Sequence, residues 1–336
     1  MQIRHNFSLK NFNTFGIDAC AKSFLSISNN EQLKEILQQK NDIFVLSGGS
    51  NVLFTKDIDK LVVHINTKGI SHESINENEV LVSSQAGENW HEFVLYCISK
   101  NFGGLENLSL IPGNVGTSPI QNIGAYGAEV KDTITELEAI EIKTGKIRVF
   151  KNDECEFGYR NSIFKHRYKN KYIILKVTYK LTKKTHNLNY SYGAIQSELD
   201  KQSLTTPTIK DISDAIIKIR NSKLPNPDEI GNSGSFFKNP VVNSSVFNAL
   251  KQKHPNIPCY VISEKQVKIP AGWLIEESGF KGKRFGETGV HKNQALVLIN
   301  YGNATGKEVS SLAKKIQNTV LKNFKILLEV EVNIIA

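Results

Sequence analysis

Cysteine is scarce in this sequence, and the four present, Cys20, Cys97, Cys155 and Cys259, lie far apart. No C-x-x-C pair occurs, which argues against a zinc site or a disulfide framework and leaves buried or idle thiols as the expectation. No stretch approaches the ~20 apolar residues that a membrane span requires. Met1–Asn13 is polar and lacks the apolar centre of a signal peptide. A cytoplasmic protein without membrane insertion is therefore expected. Also missing are Gly-Lys-Ser/Thr after a glycine loop, G-x-G-x-x-G, H-E-x-x-H and G-x-S-x-G. Their absence weakens the usual readings of a nucleoside triphosphatase, a Rossmann dehydrogenase, a zinc protease and a serine hydrolase. No metal is expected.

What the sequence does contain is globular in character. Of 336 residues, 40% are apolar and 22% charged, enough for two or three compact units. The formal charge of +9 suits nucleic acid, an anionic membrane surface or acidic small molecules. The lysines are spread out, and the densest clusters, Lys165–Lys171 and Lys183–Lys184, are short. No basic tail, zinc-finger spacing or RNP-like aromatic motif accompanies them, so nucleic acid is not the expected partner.

Apolar spacing predicts strands at Ala21–Ser26, Ile43–Leu46 and Leu61–Ile65 around a helix, Glu31–Gln39, with Leu33, Ile36 and Leu37 on one face. This is an α/β opening. From Val80 to Lys180 the pattern becomes antiparallel α+β around a helix at Trp90–Lys100. Thr144-Gly145 marks a hairpin turn between Glu136–Ile142 and Lys146–Phe150, and Tyr172–Leu181 is a long strand. After a polar break at Pro207, Ile209–Arg220 is an amphipathic helix. Helices at Ala271–Glu277 and Lys307–Lys322 and a strand at Ala295–Ile299 follow. A terminal strand over Ile326–Ile335 is predicted to return to the first domain.

Two glycine-rich segments stand out. Ser47-Gly48-Gly49-Ser50-Asn51 directly follows a strand, and glycines there let consecutive backbone N–H groups face an anion. An ordinary tight turn fits that pentapeptide equally well. Ile111–Gly127 holds four glycines and two prolines, so it forms no regular element. Its small residues and amides suit close backbone approach to a flat, phosphorylated cofactor, and so long a purely structural loop is unusual.

Together with Asn13-Thr14-Phe15-Gly16, Phe157–Lys165, Gly231–Pro240 and Leu328–Val332, these segments resemble the UDP-N-acetylenolpyruvoylglucosamine reductases. This is the MurB family, here its type I subgroup, within the flavoproteins related to vanillyl-alcohol oxidase. The resemblance implies an α+β fold. A two-part FAD-binding region of the vanillyl-alcohol oxidase type would occupy residues 1–70, rejoined by 325–336, and residues 71–207. A smaller α/β substrate-binding domain would occupy 208–324. It further implies FAD held by Ser47, Gly48, Gly49, Ser50, Asn51, Pro112, Gly113, Gly116, Gln121, Asn122, Gly124, Ala125, Tyr126 and Gly127. NADPH would be the reductant, the enolpyruvyl ether of UDP-N-acetylglucosamine the substrate, and UDP-N-acetylmuramate the product of a monomeric enzyme.

Three residues carry the implied chemistry. Arg160 stays charged, so it cannot donate a proton, but it can clamp a carboxylate or an oxyanion. A surface salt bridge fits its composition as well; the resemblance makes it the arginine that stabilises the enolate. Serine is a poor acid and needs neighbours that return a proton, yet Ser235 matches the family's proton donor to the substrate carbon. Glu329 and Glu331 would share one face of a strand, and two solvated carboxylates would explain them. The resemblance selects Glu331, with Glu329 as its rival and Val330 where proline is common. Asn239 resembles a substrate contact. Tyr192, in the loop Asn187–Gly193, matches a residue of a substrate-covering loop, and Arg220 and Lys223 match cations near the substrate diphosphate. The rivals are an FAD oxidase of the same fold and a basic, non-catalytic module that binds nucleotides or RNA.

Overall fold

Parallel strand pairing organises the start of the chain. In the computed structural model, which describes residues 2–39 and 42–336, strand Ile58–Ile65 lies between Cys20–Ile27 and Ile43–Leu46 and runs parallel to both. Arg4–Ser8 is the fourth strand of this sheet. Parallel neighbours need a crossover, which helix α1 (Asn30–Gln38) supplies between the outer two. The Asn29 side chain caps it by accepting from the Gln32 amide, and Leu33, Ile36 and Leu37 are buried. They pack with Leu25, Ile27, Val63 and Ile65, each fully buried aliphatic side chain contributing about 2 kcal/mol.

The antiparallel half is a five-stranded sheet in the order Ile147–Lys151, Ile134–Glu141, Tyr172–Thr182, Glu79–Gln85, Ile70–Ser74. The predicted hairpin forms its edge with Ile140 opposite Ile147. Its loop is wider than a two-residue turn, and Gly145 supplies the left-handed backbone at φ +68. Helix α2 (Trp90–Ser99) buries Trp90, Phe93, Val94 and Cys97 in the core this sheet shares with Tyr179 and Phe150. The polar tips of the large aromatics find partners. Trp90 Nε1 donates to Leu108 O at 2.9 Å, and the Tyr179 hydroxyl meets Ser118 Oγ at 3.1 Å. Two further helices, α3 (Ile195–Asp200) and α4 (Ile209–Lys223), bury Ile195, Leu199, Ile212, Ile216 and Ile219 together. Helix α4 runs past its expected end at Arg220.

The chain divides into two compact units. One holds the residues through Phe7, Ala21–Gly48 and Ile58–Ser222; the other holds Ser8–Cys20, Gly49–Asp57 and Lys223–Ala336. Most of the segments 1–70 and 71–207 therefore fall in one unit, which also takes most of α4.

The second unit contains a four-stranded antiparallel sheet in the order Gly231–Ser235, Val297–Asn300, Thr288–Val290, Arg284–Phe285. A smaller sheet runs Val241–Asn243, Gln266–Lys268, Tyr260–Ser263. Helices α5 (Ser244–Lys253), α6 (Ala271–Glu277) and α7 (Gly306–Phe324) complete it. Thr305 and Glu308 form a reciprocal capping box on α7. The predicted terminal strand needs correction. Only Asn333–Ile335 is a strand; it does return to the 1–70 segment, pairing parallel with Val52–Phe54, a stretch that folds with this same unit. Ile326, Leu328 and Val332 are buried and Leu327 and Glu329 exposed, so the alternation is real. The ladder is missing, because Leu328 O accepts from the Gln317 side chain of α7 at 2.7 Å and only Val330 bridges a strand-like partner, Phe237. Among the described residues no helix is long and apolar enough to cross a membrane, and no cluster of His, Cys, Asp and Glu suits a metal ion.

Two glycines separate conformational from steric demand. A Cβ at Gly145 would meet nothing within 4 Å, whereas one at Gly306 would lie 1.7 Å from Phe54 O. Gly145→Ala should therefore cost about 1 kcal/mol and Gly306→Ala about 3 kcal/mol or more, read from urea midpoints of the purified variants.

Candidate functional site

The two glycine-rich segments meet. A Cβ on Gly48 would lie 2.9 Å from Gly113 Cα and 3.0 Å from Asn114 Oδ1, so only hydrogen allows this approach. Asn114 Nδ2 also donates to Ser47 Oγ at 3.1 Å. Helix α2 pins the second segment at its start, where Trp90 N donates to Gly113 O and Val115 N to Glu88 O, each at 2.9 Å. In the second unit, Gly49 has φ +61 and a Cβ there would strike Phe12 O at 2.0 Å. The Thr14 amide donates to Gly49 O at 3.1 Å, while the Thr14 hydroxyl is buried with no hydrogen-bond partner. An enclosed donor with nothing to bond is costly unless a bound group satisfies it. Ser50 and Asn51 follow, both half-buried.

Left-handed backbone gathers along this loop and next to it. Leu110, Asn122, Tyr126 and Arg160 have φ between +46 and +59, an unfavourable region for residues with a Cβ that persists where surroundings enforce it. Gln121, Gly124, Ala125 and Tyr126 are half-buried, whereas Pro112 and Gly127 are exposed. Two of the expected cofactor residues have internal duties. Gly116 is buried with its amide on Ala86 O, and a Cβ would lie 2.5 Å from Ala86 Cβ. The Asn122 amide donates to Glu129 Oε2 and Gly158 O, and Asn122 Oδ1 accepts from Lys131 N. Asn122 thus ties the loop to the turn that carries Arg160.

Arg160 reaches back to this loop. Its guanidinium donates to Gly124 O at 2.7 Å and lies 5.3 Å from the Tyr159 ring centre. The Asn187–Gly193 loop docks at the same end: the Tyr192 ring lies against Gly127, and Asn189 Nδ2 donates to Gly127 O at 3.4 Å. Asn107 ties both together, donating to Tyr126 O and Asn189 O at 2.9 and 2.7 Å. Behind them Tyr126 and Arg220 interact electrostatically. Burial raises the Tyr126 pKa and lowers that of Arg220, each opposed by the other partner. Arg220 Nε is enclosed and makes no hydrogen bond, so a strong anion donor is held desolvated there. Lys223, at the end of α4, is exposed. The structure thus gathers Arg160, Tyr126, Tyr192 and Arg220 about Gly124–Gly127.

Ser235 and Glu331 come together in the second unit. The strand carrying Ser235 bulges between Asn232 and Ser235, leaving Ser235 exposed while Phe236 and Phe237 are buried. These rings, 5.2 Å apart, anchor the serine backbone. Glu331 N donates to Phe236 O and Lys238 N to Glu329 O, each at 2.9 Å. Ser235 and Glu331 therefore sit on adjoining backbones. Glu329 is exposed and ion-paired with Lys238, whereas Glu331 is half-buried, which distinguishes the rival carboxylates. Asn239 Oδ1 accepts from Ala271 N at 2.9 Å and so caps α6. Asn239 also lines a cavity of about 240 Å³ with Tyr260, Trp273, Lys281 and Gln294. These last four were missed by sequence reasoning. They are scattered polar and aromatic residues without periodicity, and only folding collects them.

Comparison with known proteins matches these two regions separately. A family model described as an FAD binding domain matches residues 22–151, and one described as the C-terminal domain of UDP-N-acetylenolpyruvoylglucosamine reductase matches residues 226–335. A UDP-N-acetylenolpyruvoylglucosamine reductase of Flavobacterium johnsoniae is 58% identical, with 100% of both chains covered. Among solved structures, the reductase (MurB) from Thermus caldophilus shares the fold at a TM-score of 0.70 and 22% identity over 100% of both chains. A p-cresol methylhydroxylase with substrate bound aligns at a TM-score of 0.50 and 14% identity, over 96% of this chain and 84% of that one. The fold is α+β with an FAD-binding domain, and it is shared with these two solved structures. By its whole-length identity to one of these reductases, the chain belongs to the UDP-N-acetylenolpyruvoylglucosamine reductase (MurB) family.

Proposed function

We propose that this protein is an FAD-dependent reductase that draws on NADPH and converts UDP-N-acetylglucosamine enolpyruvate to UDP-N-acetylmuramate in peptidoglycan precursor synthesis. The observation that supports this reading is the backbone bond from Glu331 N to Phe236 O, which brings the segment carrying Ser235 next to the segment carrying Glu331. Its substrate and NADPH are nucleotides used in the cytoplasm, to which we assign it, as a monomer.

The residues present fit the flavin. Backbone amides and small side chains of the expected residues, among them Ser47, Gly48, Gly113 and Gly124–Gly127, would hold it. When bound, FAD supplies the hydride, taken from NADPH and given to the enolpyruvyl group. The protein's own task is to position that group and manage its charge.

Arg160 clamps the substrate carboxylate and stabilises the negative charge that spreads into it, an interaction stronger in a dry site than in water. The bond from its guanidinium to Gly124 O fixes the guanidinium before substrate arrives. The Ser235 hydroxyl gives its proton to the carbon next to the carboxylate. Glu331 in its protonated form would add a hydrogen bond to the developing charge. Arg220 and Lys223 hold the diphosphate, Tyr192 covers it by donating its hydroxyl to a phosphate oxygen, and Asn239 contacts the nucleotide sugar.

Ser235→Ala should leave flavin reduction by NADPH intact while slowing flavin reoxidation by the enolpyruvyl substrate about 100-fold or more. Single-turnover measurement of each half-reaction checks this, and equal loss in both halves would mean that Ser235 is structural. Arg160→Lys keeps the charge but loses the bidentate geometry. Substrate-dependent reoxidation should fall roughly 100-fold, with flavin reduction unchanged in the same assay.

A further inference from the structure

The cofactor loop begins beyond Leu110, a bulky residue at φ +59. A side chain with a Cβ does not rest there unless it is held. Its amide donates to His91 Nδ1 of α2 at 3.0 Å. The flanking positions are held as well: Leu108 O accepts from the Trp90 indole at 2.9 Å, and Ser109 Oγ meets Ser213 Oγ of α4 at 2.8 Å. Among these holding groups, only the imidazole titrates near neutrality. Its Nδ1 accepts from an amide, so the ring must be neutral at that atom. The charged groups acting on it are Glu92 of its own helix and Arg220 of α4.

We infer that His91 is a positioning residue for the cofactor loop: its neutral imidazole fixes Leu110, and protonation of the ring frees the loop and weakens flavin retention, an inference that rests on the FAD reading above. The electrostatics agree in sign. Burial lowers the His91 pKa from 6.5, Glu92 opposes this, and Arg220 adds to it. A lowered pKa means that the neutral ring belongs to the ordered loop. The hold is complete above about 6.5, weakens as pH falls below that value, and is lost once pH passes through the lowered pKa of the folded state.

The test uses full-length wild type, His91→Asn and His91→Leu, each loaded with FAD and passed through gel filtration between about pH 8 and about pH 5. Retained flavin absorbance is the readout, with circular dichroism to follow the fold. Asparagine keeps an amide-oxygen acceptor near the Nδ1 position and does not titrate; leucine removes the acceptor. At about pH 8, His91→Asn should bind FAD like wild type and His91→Leu roughly tenfold more weakly. As pH falls from about 6.5 through the lowered pKa of the folded state, wild type should progressively release flavin while His91→Asn retains it. A His91→Asn profile that falls with that of wild type, or a His91→Leu affinity equal to wild type, would overturn the inference. If His91→Leu does not fold, the comparison of wild type with His91→Asn decides alone. Wild type that takes up no FAD at any pH would instead overturn the cofactor reading, and this inference with it.

Discussion

Two backbones in contact at Gly48 and Gly113 set the terms for the flavin-binding unit. With a would-be Cβ only 2.9 Å from the facing Cα, the sequence must place hydrogen there, and the strand Ile43–Leu46 and the Ile111–Gly127 loop are locked in register by that approach. Everything downstream in the loop inherits the register. Asn114 bonds Ser47, Asn122 ties the loop to Gly158, and Gly124 O receives the Arg160 guanidinium. The loop, whose regular structure is limited to a 3-10 turn at Val115–Thr117 and a short strand at Gly124–Ala125, is thus anchored along its length. Side-chain amides and close packing supply most of these anchors, and the antiparallel pair of Gly124–Ala125 with Ala128–Glu129 adds a short ladder.

Much of this was legible beforehand because the chemistry of glycine and proline is local. Four glycines and two prolines in Ile111–Gly127 announce a shaped loop in any fold. Helix α1 and the Ile43–Leu46 strand follow in the same way from spacing alone. The failure at Ile326–Ile335 has an equally clear cause. Alternation reports which side chains are buried, and it did so correctly, but it cannot report whether the backbone finds a strand or a helix side chain as its partner. Gln317 is that partner for Leu328, and no local pattern links the two.

For the candidate site the sequence supplied segments and the structure supplies their surroundings. Arg160, Ser235 and Glu331 were reached through ordered motifs, and the structure adds what motifs omit, namely which atoms hold each of them. Asn122 shows the difference. Amide side chains in a glycine-rich loop suggest ligand contacts, yet its donors and its oxygen are engaged inside the protein. Tyr260, Lys281 and Gln294 were silent because a cavity is a property of the fold. The carboxylates Glu329 and Glu331 differ for a similar reason: the ion pair of Glu329 with Lys238 is invisible in a pattern that repeats every second residue.

The cysteines, first met as an absence of pairs, give the molecule a practical property. Burial, with Glu154 and Asp153 adding to it, pushes the Cys155 thiol up to about 12, and burial raises that of Cys97 further. Thiolate is the reactive form, so both resist alkylation while the fold is intact. Cys20 is half-buried, and Cys259 alone is exposed, immediately before Tyr260, which lines the Asn239 cavity. A thiol-directed dye on the native enzyme would therefore react first beside that cavity, giving an optical reporter of what enters it without any engineered residue.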